Sequence, residues 1–324
     1  MKMKKNNTFS EIRIALQEAD NILILPHIKA DGDAAGSASA LLEIFRKREK
    51  KAYALAAETP LPSIRTLVHE RYRTEIPEGF RPDLLITVDC ADIDRCIDRV
   101  KNFPDVKILN LDHHGTNTRF GDLDYVIGNL SSTGELIYSL SEALGYKITK
   151  KAARYILGAI LLDTNRFYYS STSSRTLEIA AEIIDRGVSM SELCEDLFGN
   201  NSKEKMKLLA RAIDSSTFFC SNRGVYSWLP RKVQLEAGTD NTDDIVEALR
   251  DMEGVEVALL LYDYKGSLRA SLRSVGDVDV SKVALAFGGG GHKNASGITF
   301  TDHDYEKVLR KLLRELEALL VRKS

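Results

Sequence analysis

A chain of 324 residues is longer than one hydrophobic core usually serves, so two domains are expected. With 44% hydrophobic residues, 28% charged residues and a net charge of −2, it reads as an ordinary soluble globular protein, not one that coats long nucleic acid through its overall field. The four cysteines (Cys90, Cys96, Cys194, Cys220) have no paired spacing, no apolar leader core is visible, and the run near "YILGAILL" is too short to span a bilayer; a disulfide framework, a zinc knuckle and a membrane anchor are not expected, and a reducing cytoplasm is.

Up to about residue 190 the pattern alternates between strand and helix. "NILILPH" is a short apolar run, followed by helical spacing in "AAGSASALLEIFRKREK". "KAYALAA", "DLLITVDC" and "VKILNLD" are further strands, with a helix expected over "DIDRCIDRVKNF". Three more helices follow: "STGELIYSLSEALG", opening on hydroxyl caps and closing on Gly145, then "KKAARYILGAILLDTN", then "SSRTLEIAAEIIDRG". The expected fold class is α/β, with a doubly wound, mostly parallel sheet over residues 1–190. Residues 191–216 read as a helical connector. Residues 217–324 form a smaller α+β domain, with strand "GVYSWLP", helix "TDDIVEALRDM", two strands joined at Lys265-Gly266, a glycine cluster and a final amphipathic helix.

Acids and histidines sit at the carboxyl ends of these strands. His27 ends the first, with Asp31 and Asp33 in the loop behind it; Asp89 ends another; Asp112, His113 and His114 end the next; Asp163 closes a helix. In such sheets ligands bind beyond the carboxyl ends of strands, so these groups should meet on one edge. Several carboxylates and imidazoles packed together call for a cation. Without cysteine, the set suits Mn²⁺ or a similar divalent ion, and it is large enough for two ions that activate water and clamp a phosphoryl group. Each element alone has a plainer reading, DGD as a turn and a strand-end aspartate as a helix cap. Their coincidence at three successive strand ends favours the metal site.

In "SLRASLRS", alternation sets Arg269, Ser271 and Arg273 on one face, either the polar side of a half-buried strand or a fork-like anion reader. "FGGGGHKNASG" joins Gly289, Gly290 and Gly291 to His292, Asn294 and Ser296. Consecutive glycines suit backbone N–H groups that approach a ligand closely, although the GKS/T ending of a phosphate-binding loop is missing.

"HIKADGDAAGS", "VDCAD", "LDHHGTN" and "GAILLDTNRF", in that order, resemble the four motifs of the DHH phosphoesterases. "RASLRS" with "GGGGHKNASG" is similar to the DHHA1 substrate-binding domain that follows in one branch, and the organisation is closest to the bifunctional oligoribonuclease and 3′-phosphoadenosine-5′-phosphate phosphatase (nano-RNase) group. The resemblance implies an active site in a cleft between a DHH and a DHHA1 domain, with two divalent ions, most simply Mn²⁺. One ion would be held by His27, Asp31 and Asp89, the other by Asp33, His113 and Asp163, with Asp89 bridging. Asp112 would orient a ligand, His114 would face the scissile phosphate, and Asp92 beside Asp89 would cap a helix. Arg269, Ser271, Arg273, Gly289, Gly290, Gly291, His292, Asn294 and Ser296 would hold the rest of the substrate. The implied activity is hydrolysis of very short RNA to mononucleotides and of 3′-phosphoadenosine-5′-phosphate to AMP. The alternative is a cyclic- or linear-dinucleotide phosphodiesterase of the same architecture. A non-catalytic nucleotide binder has no need of so costly a cluster. The partners implied are a short RNA or nucleotide and at most a second copy of the chain, with no long nucleic acid and no membrane.

Overall fold

The computed structural model describes residues 5–96, 98–199 and 201–321. They form two compact units, one up to residue 200 and one from residue 201. The first contains α1 (Phe9–Glu18), β1 (Asn21–Pro26), α2 (Gly32–Lys47), β2 (Lys51–Leu55), β3 (Tyr72–Arg73), β4 (Leu84–Val88), β5 (Lys107–Asp112), β6 (Leu123–Val126), α3 (Thr133–Leu144), α4 (Lys150–Asp163), α5 (Ser174–Asp185) and α6 (Met190–Cys194). Its six strands pair in the order β3-β2-β1-β4-β5-β6, all parallel. Alternation decides the faces. Ile22, Ile24, Ile86, Val88, Leu109 and Leu111 join residues of α2, α3 and α4 in the main core, while Leu23, Leu25, Leu55 and Leu85 meet Phe80 on the other side. Each fully buried aliphatic side chain stabilises the sheet by about 1.5–3 kcal/mol.

That second face differs from expectation. The helix expected over "DIDRCIDRVKNF" is two short 3₁₀ turns, Ile93–Arg95 and Asp98–Asn102. Cys96 is buried and extended (φ −84°, ψ 160°), which interrupts the helical path, and Pro104 disfavours helix at the residue before it. Asp92 does cap the first turn, accepting from the Asp94 N–H. Strands β3 and β6, two and four residues long, are too short to show a period.

Residues 191–216 divide between the units. Leu193 and Leu197 pack in the first core, while Leu208 and Ala212 pack in the second unit. The second unit contains α7 (Lys203–Asp214), β7 (Thr217–Phe219), β8 (Gly224–Leu229), α8 (Arg231–Ala237), α9 (Ile245–Arg250), β9 (Val257–Tyr264), β10 (Ser267–Ser274), α10 (Ser281–Ala286), β11 (Gly290–His292), β12 (Ala295–Phe300) and α11 (Tyr305–Val321). Its sheet is mixed, in the order β11-β12-β10-β9-β8-β7, with β8 and β9 parallel. The β9–β10 hairpin turns at Lys265-Gly266, with φ of 49° and 77°, as the pair of residues suggests. Leu268, Ala270 and Leu272 of β10 enter the core under α11, so Arg269, Ser271 and Arg273 lie on the opposite face.

The glycine cluster is partly strand. Gly290, Gly291 and His292 pair with Gly297, Ser296 and Ala295. A Cβ on Gly289 would stand 2.3 Å from the Gly297 carbonyl oxygen, and Gly291 has φ +137° with the Ala295 oxygen 2.5 Å from where a Cβ would be. These glycines are needed first for close backbone approach within the hairpin.

Candidate metal centre

The site in the first unit grows from chain turns at the carboxyl edge of its sheet. Asp31 is the N-cap of α2, and its Oδ1 accepts the N–H groups of Asp33 and Ala34 at 3.0 and 3.1 Å. Asp33 follows in the first turn and is buried. Asp89 leaves β4 with φ 57°, a left-handed conformation that costs a non-glycine residue about 1–2 kcal/mol. Asp163 is the last residue of α4, and His113 and His114 follow β5 directly.

These turns bring together the six acids and histidines expected on metal. His27 Nε2 lies 3.8 Å from Asp31 Oδ1 and 3.6 Å from Asp89 Oδ2. His113 Nε2 lies 3.6 Å from Asp33 Oδ2, 3.6 Å from Asp89 Oδ1 and 3.4 Å from Asp163 Oδ2. His27, Asp31 and Asp89 thus form one group able to hold a metal ion, and Asp33, His113 and Asp163 form another. Asp89 turns one oxygen toward each.

The geometry fits cations. Separations of 3.4–3.8 Å are too long for good hydrogen bonds. Two donors each about 2.1 Å from a shared ion stand roughly 3–3.5 Å apart. The donors are carboxylate oxygens and imidazole nitrogens with no thiolate, a set for hard or borderline divalent ions. The electrostatics agree. Burial, together with neighbouring carboxylates, pushes Asp33 up to about 7, Asp163 up to about 7 and Asp89 up to about 6. At His27 and His113 burial acts downward but is outweighed by the surrounding aspartates, which raise them to about 9 and about 10. A bound cation would replace these protons as the neutralising charge.

Supporting contacts orient the donors. The His113 Nδ1 sits 3.1 Å from the Leu130 carbonyl, so Nδ1–H donates there and Nε2 faces the carboxylates. Asp33 accepts the Thr133 and Gly134 N–H groups at 2.7 and 3.0 Å and the Ser37 hydroxyl at 3.1 Å. The Thr133 hydroxyl donates to Asp89 Oδ1 at 3.1 Å. Asp112 lies behind the histidines, 2.7 Å from His114 Nδ1. Burial would raise Asp112, but hydrogen bonds from His114 and Asn117 hold it below the usual carboxylate range.

Thr133, Gly134 and Asn117 are members of the site that sequence reasoning missed. The hydroxyls ahead of α3 read as helix caps, and Ser132 is indeed the cap. The remaining signal was their excess: Ser131, Ser132 and Thr133 are three hydroxyls where one cap needs one.

In the second unit, Arg269 lies over the Tyr264 ring at 4.2 Å. Arg273 donates to Glu247 Oε1 at 2.7 Å, so α9 holds its guanidinium. Two residues expected on the substrate, Asn294 and Ser296, also make hydrogen bonds within the fold. The Asn294 amide donates to Ser274 Oγ and to the carbonyls of Gly276 and Val278, and Ser296 Oγ donates to the His292 carbonyl.

Residues 21–162 match the DHH family, N-terminal domain, and residues 222–322 match the DHHA1 domain. The bifunctional oligoribonuclease and PAP phosphatase NrnA of Thermus thermophilus is 32% identical over 301 residues, covering 91% of this chain and 90% of the relative. The chain belongs to the DHH/DHHA1 phosphoesterase family. The protein of the same description from Bacillus subtilis is 30% identical over 307 residues, covering 93% of this chain and 95% of the relative. A solved exopolyphosphatase-related protein from Bacteroides fragilis shares the fold, with a TM-score of 0.85 over 96% of this chain and 97% of that one at 23% identity. Members of the DHH family are phosphoesterase hydrolases that depend on metal, and the acid–histidine groups supply what such an ion needs. No helix among the described residues is long and apolar enough to cross a membrane.

Proposed function

We propose that this DHH phosphoesterase hydrolyses very short oligoribonucleotides to mononucleotides and 3′-phosphoadenosine-5′-phosphate to AMP, using two Mn²⁺ ions. The observation that carries the metal reading is Asp89, whose two oxygens face two separate donor groups. The substrate reading is supported by the relatives described as oligoribonuclease and PAP phosphatase at 30–32% identity.

His27, Asp31 and Asp89 would hold one ion, and Asp33, His113, Asp163 and Asp89 the other. Bound there, the ions make water a better nucleophile at neutral pH and neutralise the phosphoryl oxygens. His114, fixed by Asp112, meets the scissile phosphate. Arg269, Ser271, Arg273, His292, Asn294, Ser296 and the glycine segment of Gly289, Gly290 and Gly291 would hold the remainder of the substrate.

So small a set of cations can neutralise two or three phosphates. At about 0.7 per single-strand phosphate, the log–log salt slope of binding should be roughly −1.5 to −2. The experiment is a panel with Mn²⁺: a dinucleotide, a strand about ten times longer at matched ends, 3′-phosphoadenosine-5′-phosphate and cyclic di-adenylate. Fast turnover of the dinucleotide and the mononucleotide, falling steeply with length, is expected. Equal rates on short and long strands, or a salt slope near −5, would indicate a long-strand nuclease. Preference for cyclic di-adenylate would establish the dinucleotide phosphodiesterase instead.

A further inference from the structure

Glu247 stands on α9 and reaches across to β10, where its Oε1 accepts the Arg273 Nε–H at 2.7 Å. The Arg273 Nη1 donates to the carbonyl of Leu272, its own neighbour in the strand, at 3.0 Å. The guanidinium is therefore held through Nε and through Nη1, and its plane is set before any ligand arrives. Both side chains are largely covered, with 23% of Arg273 and 15% of Glu247 exposed. The pairing is one-sided. Glu247 Oε2 is buried and meets no hydrogen-bond donor among the described residues. An ion pair kept for stability alone does best when both carboxylate oxygens are matched, and leaving a buried oxygen bare costs free energy.

The register of the sheet fixes what lies beside the arginine. Arg273 stands opposite Ala295 of β12, and Ala295 stands opposite His292 of β11. Directly opposed residues project from one face of a sheet. Arg273 and His292 thus flank a methyl group, their backbones two strand spacings, or about 10 Å, apart. In the next row Ser271, Gly297 and Gly290 are opposed in the same way. Gly297 is exposed, and a Cβ there would meet nothing closer than the Ala270 carbonyl oxygen at 3.7 Å, an ordinary contact. Packing does not require glycine at that position. A glycine inside a strand often marks a place where a ligand approaches the backbone closely. The fixed guanidinium borders a shallow floor of small residues on this sheet face.

We propose that Glu247 is a positioning residue: it holds the Arg273 guanidinium in the orientation that receives a phosphate of the substrate. This rests on the substrate role given to Arg273 above. A mobile arginine gives up rotamer freedom when it binds an anion, whereas an anchored one has little left to lose. The carboxylate also acts in the opposite sense, since its negative charge repels the phosphate. That repulsion is offset by Arg273 itself and screened by water and salt at a partly exposed site, so the positional effect is the larger.

The test compares Glu247→Ala and Glu247→Gln with the parent, measuring KM and kcat separately on a dinucleotide with Mn²⁺. Glutamine keeps an acceptor oxygen for Arg273 Nε and removes the charge; alanine removes both. Glu247→Ala should raise KM about five- to tenfold and change kcat by less than about twofold, because no metal ligand is altered. Glu247→Gln should recover most of that loss. In an Arg273→Ala background, Glu247→Ala should raise KM no further, since no guanidinium is left to position. A fall in KM in both variants would overturn the proposal and make Glu247 a source of charge repulsion. Lower urea stability with KM unchanged, additive effects in the double variant, or two variants that both fail to fold would leave it a tie between α9 and β10. An unchanged KM in Arg273→Ala would remove the role of both residues. If the parent cleaves neither the dinucleotide nor 3′-phosphoadenosine-5′-phosphate but does cleave another phosphoester, the substrate reading fails instead, and the same set of variants on that ester decides the role of Glu247.

Discussion

At Asp89 the chain accepts a left-handed φ of 57° on a buried, charged residue, two features that a packing role would avoid. The conformation directs one oxygen toward His27 and the other toward His113. Replacing Asp89 or His113 by alanine should therefore leave the circular dichroism spectrum intact while metal content and turnover collapse together. Near-full activity with Mn²⁺ in either variant would sink the two-ion reading. Thr133 allows a finer test, because its hydroxyl donates to Asp89 Oδ1 and so bears on how that carboxylate is held. Thr133→Val keeps the volume and loses the hydroxyl, and metal affinity should fall about 10–100-fold. Thr133→Ser should restore most of it, and equal affinity in all three proteins by calorimetry would show the hydroxyl to be only part of the helix start. The acids and histidines were legible because strand ends are local features, and the chemistry of the side chains is visible in the letters. Thr133 and Asn117 were not, since a hydroxyl before a helix and an asparagine in a turn each have a sufficient local explanation. Only the fold shows what else they touch.

The same distinction holds for elements. The four long strands of the first sheet and helices α2 to α5 were readable because periodicity accumulates over many residues. The helix expected over "DIDRCIDRVKNF" was not realised, because Cys96 is buried with extended backbone and breaks the helical path between two short 3₁₀ turns. Strand β11 was hidden for the opposite reason: glycines carry no β pattern, and its pairing with β12 is set by backbone approach. That pairing makes a prediction. At Gly291, with φ +137° and the Ala295 oxygen 2.5 Å from where a Cβ would stand, alanine is strained in both conformation and space. Gly291→Ala should destabilise the second unit by about 1–3 kcal/mol, measured by urea unfolding. Gly288→Ala, at φ +74° with nothing within 4 Å, meets no such contact and should cost less. Equal effects at the two positions would mean that backbone conformation alone, and not the close hairpin, demands glycine.

On the scale of the whole chain, each unit has its own apolar clusters, and every donor of the two metal groups described in the first unit comes from residues 27–163. Those donors include carboxylates held close together, an arrangement that opposes folding unless a cation neutralises it. A ligand that binds only the folded state stabilises it by about 2.7 kcal/mol at one hundred times its Kd, and by about 4.1 kcal/mol at one thousand times. Mn²⁺ should therefore raise the melting temperature of the transition belonging to the first unit, with a shift that grows with the logarithm of its concentration, and a chelator should reverse it. The second unit supplies none of those ligands and should melt at an unchanged temperature. Trp228 fluorescence reads that transition, since the chain's single tryptophan lies there on β8, stacked on Tyr305. In Asp89→Ala the shift of the first transition should shrink or vanish while the Trp228 signal stays where it was. A Mn²⁺ shift seen equally in the Asp89→Ala protein, or seen only by Trp228, would place the ion outside the cluster at the strand ends.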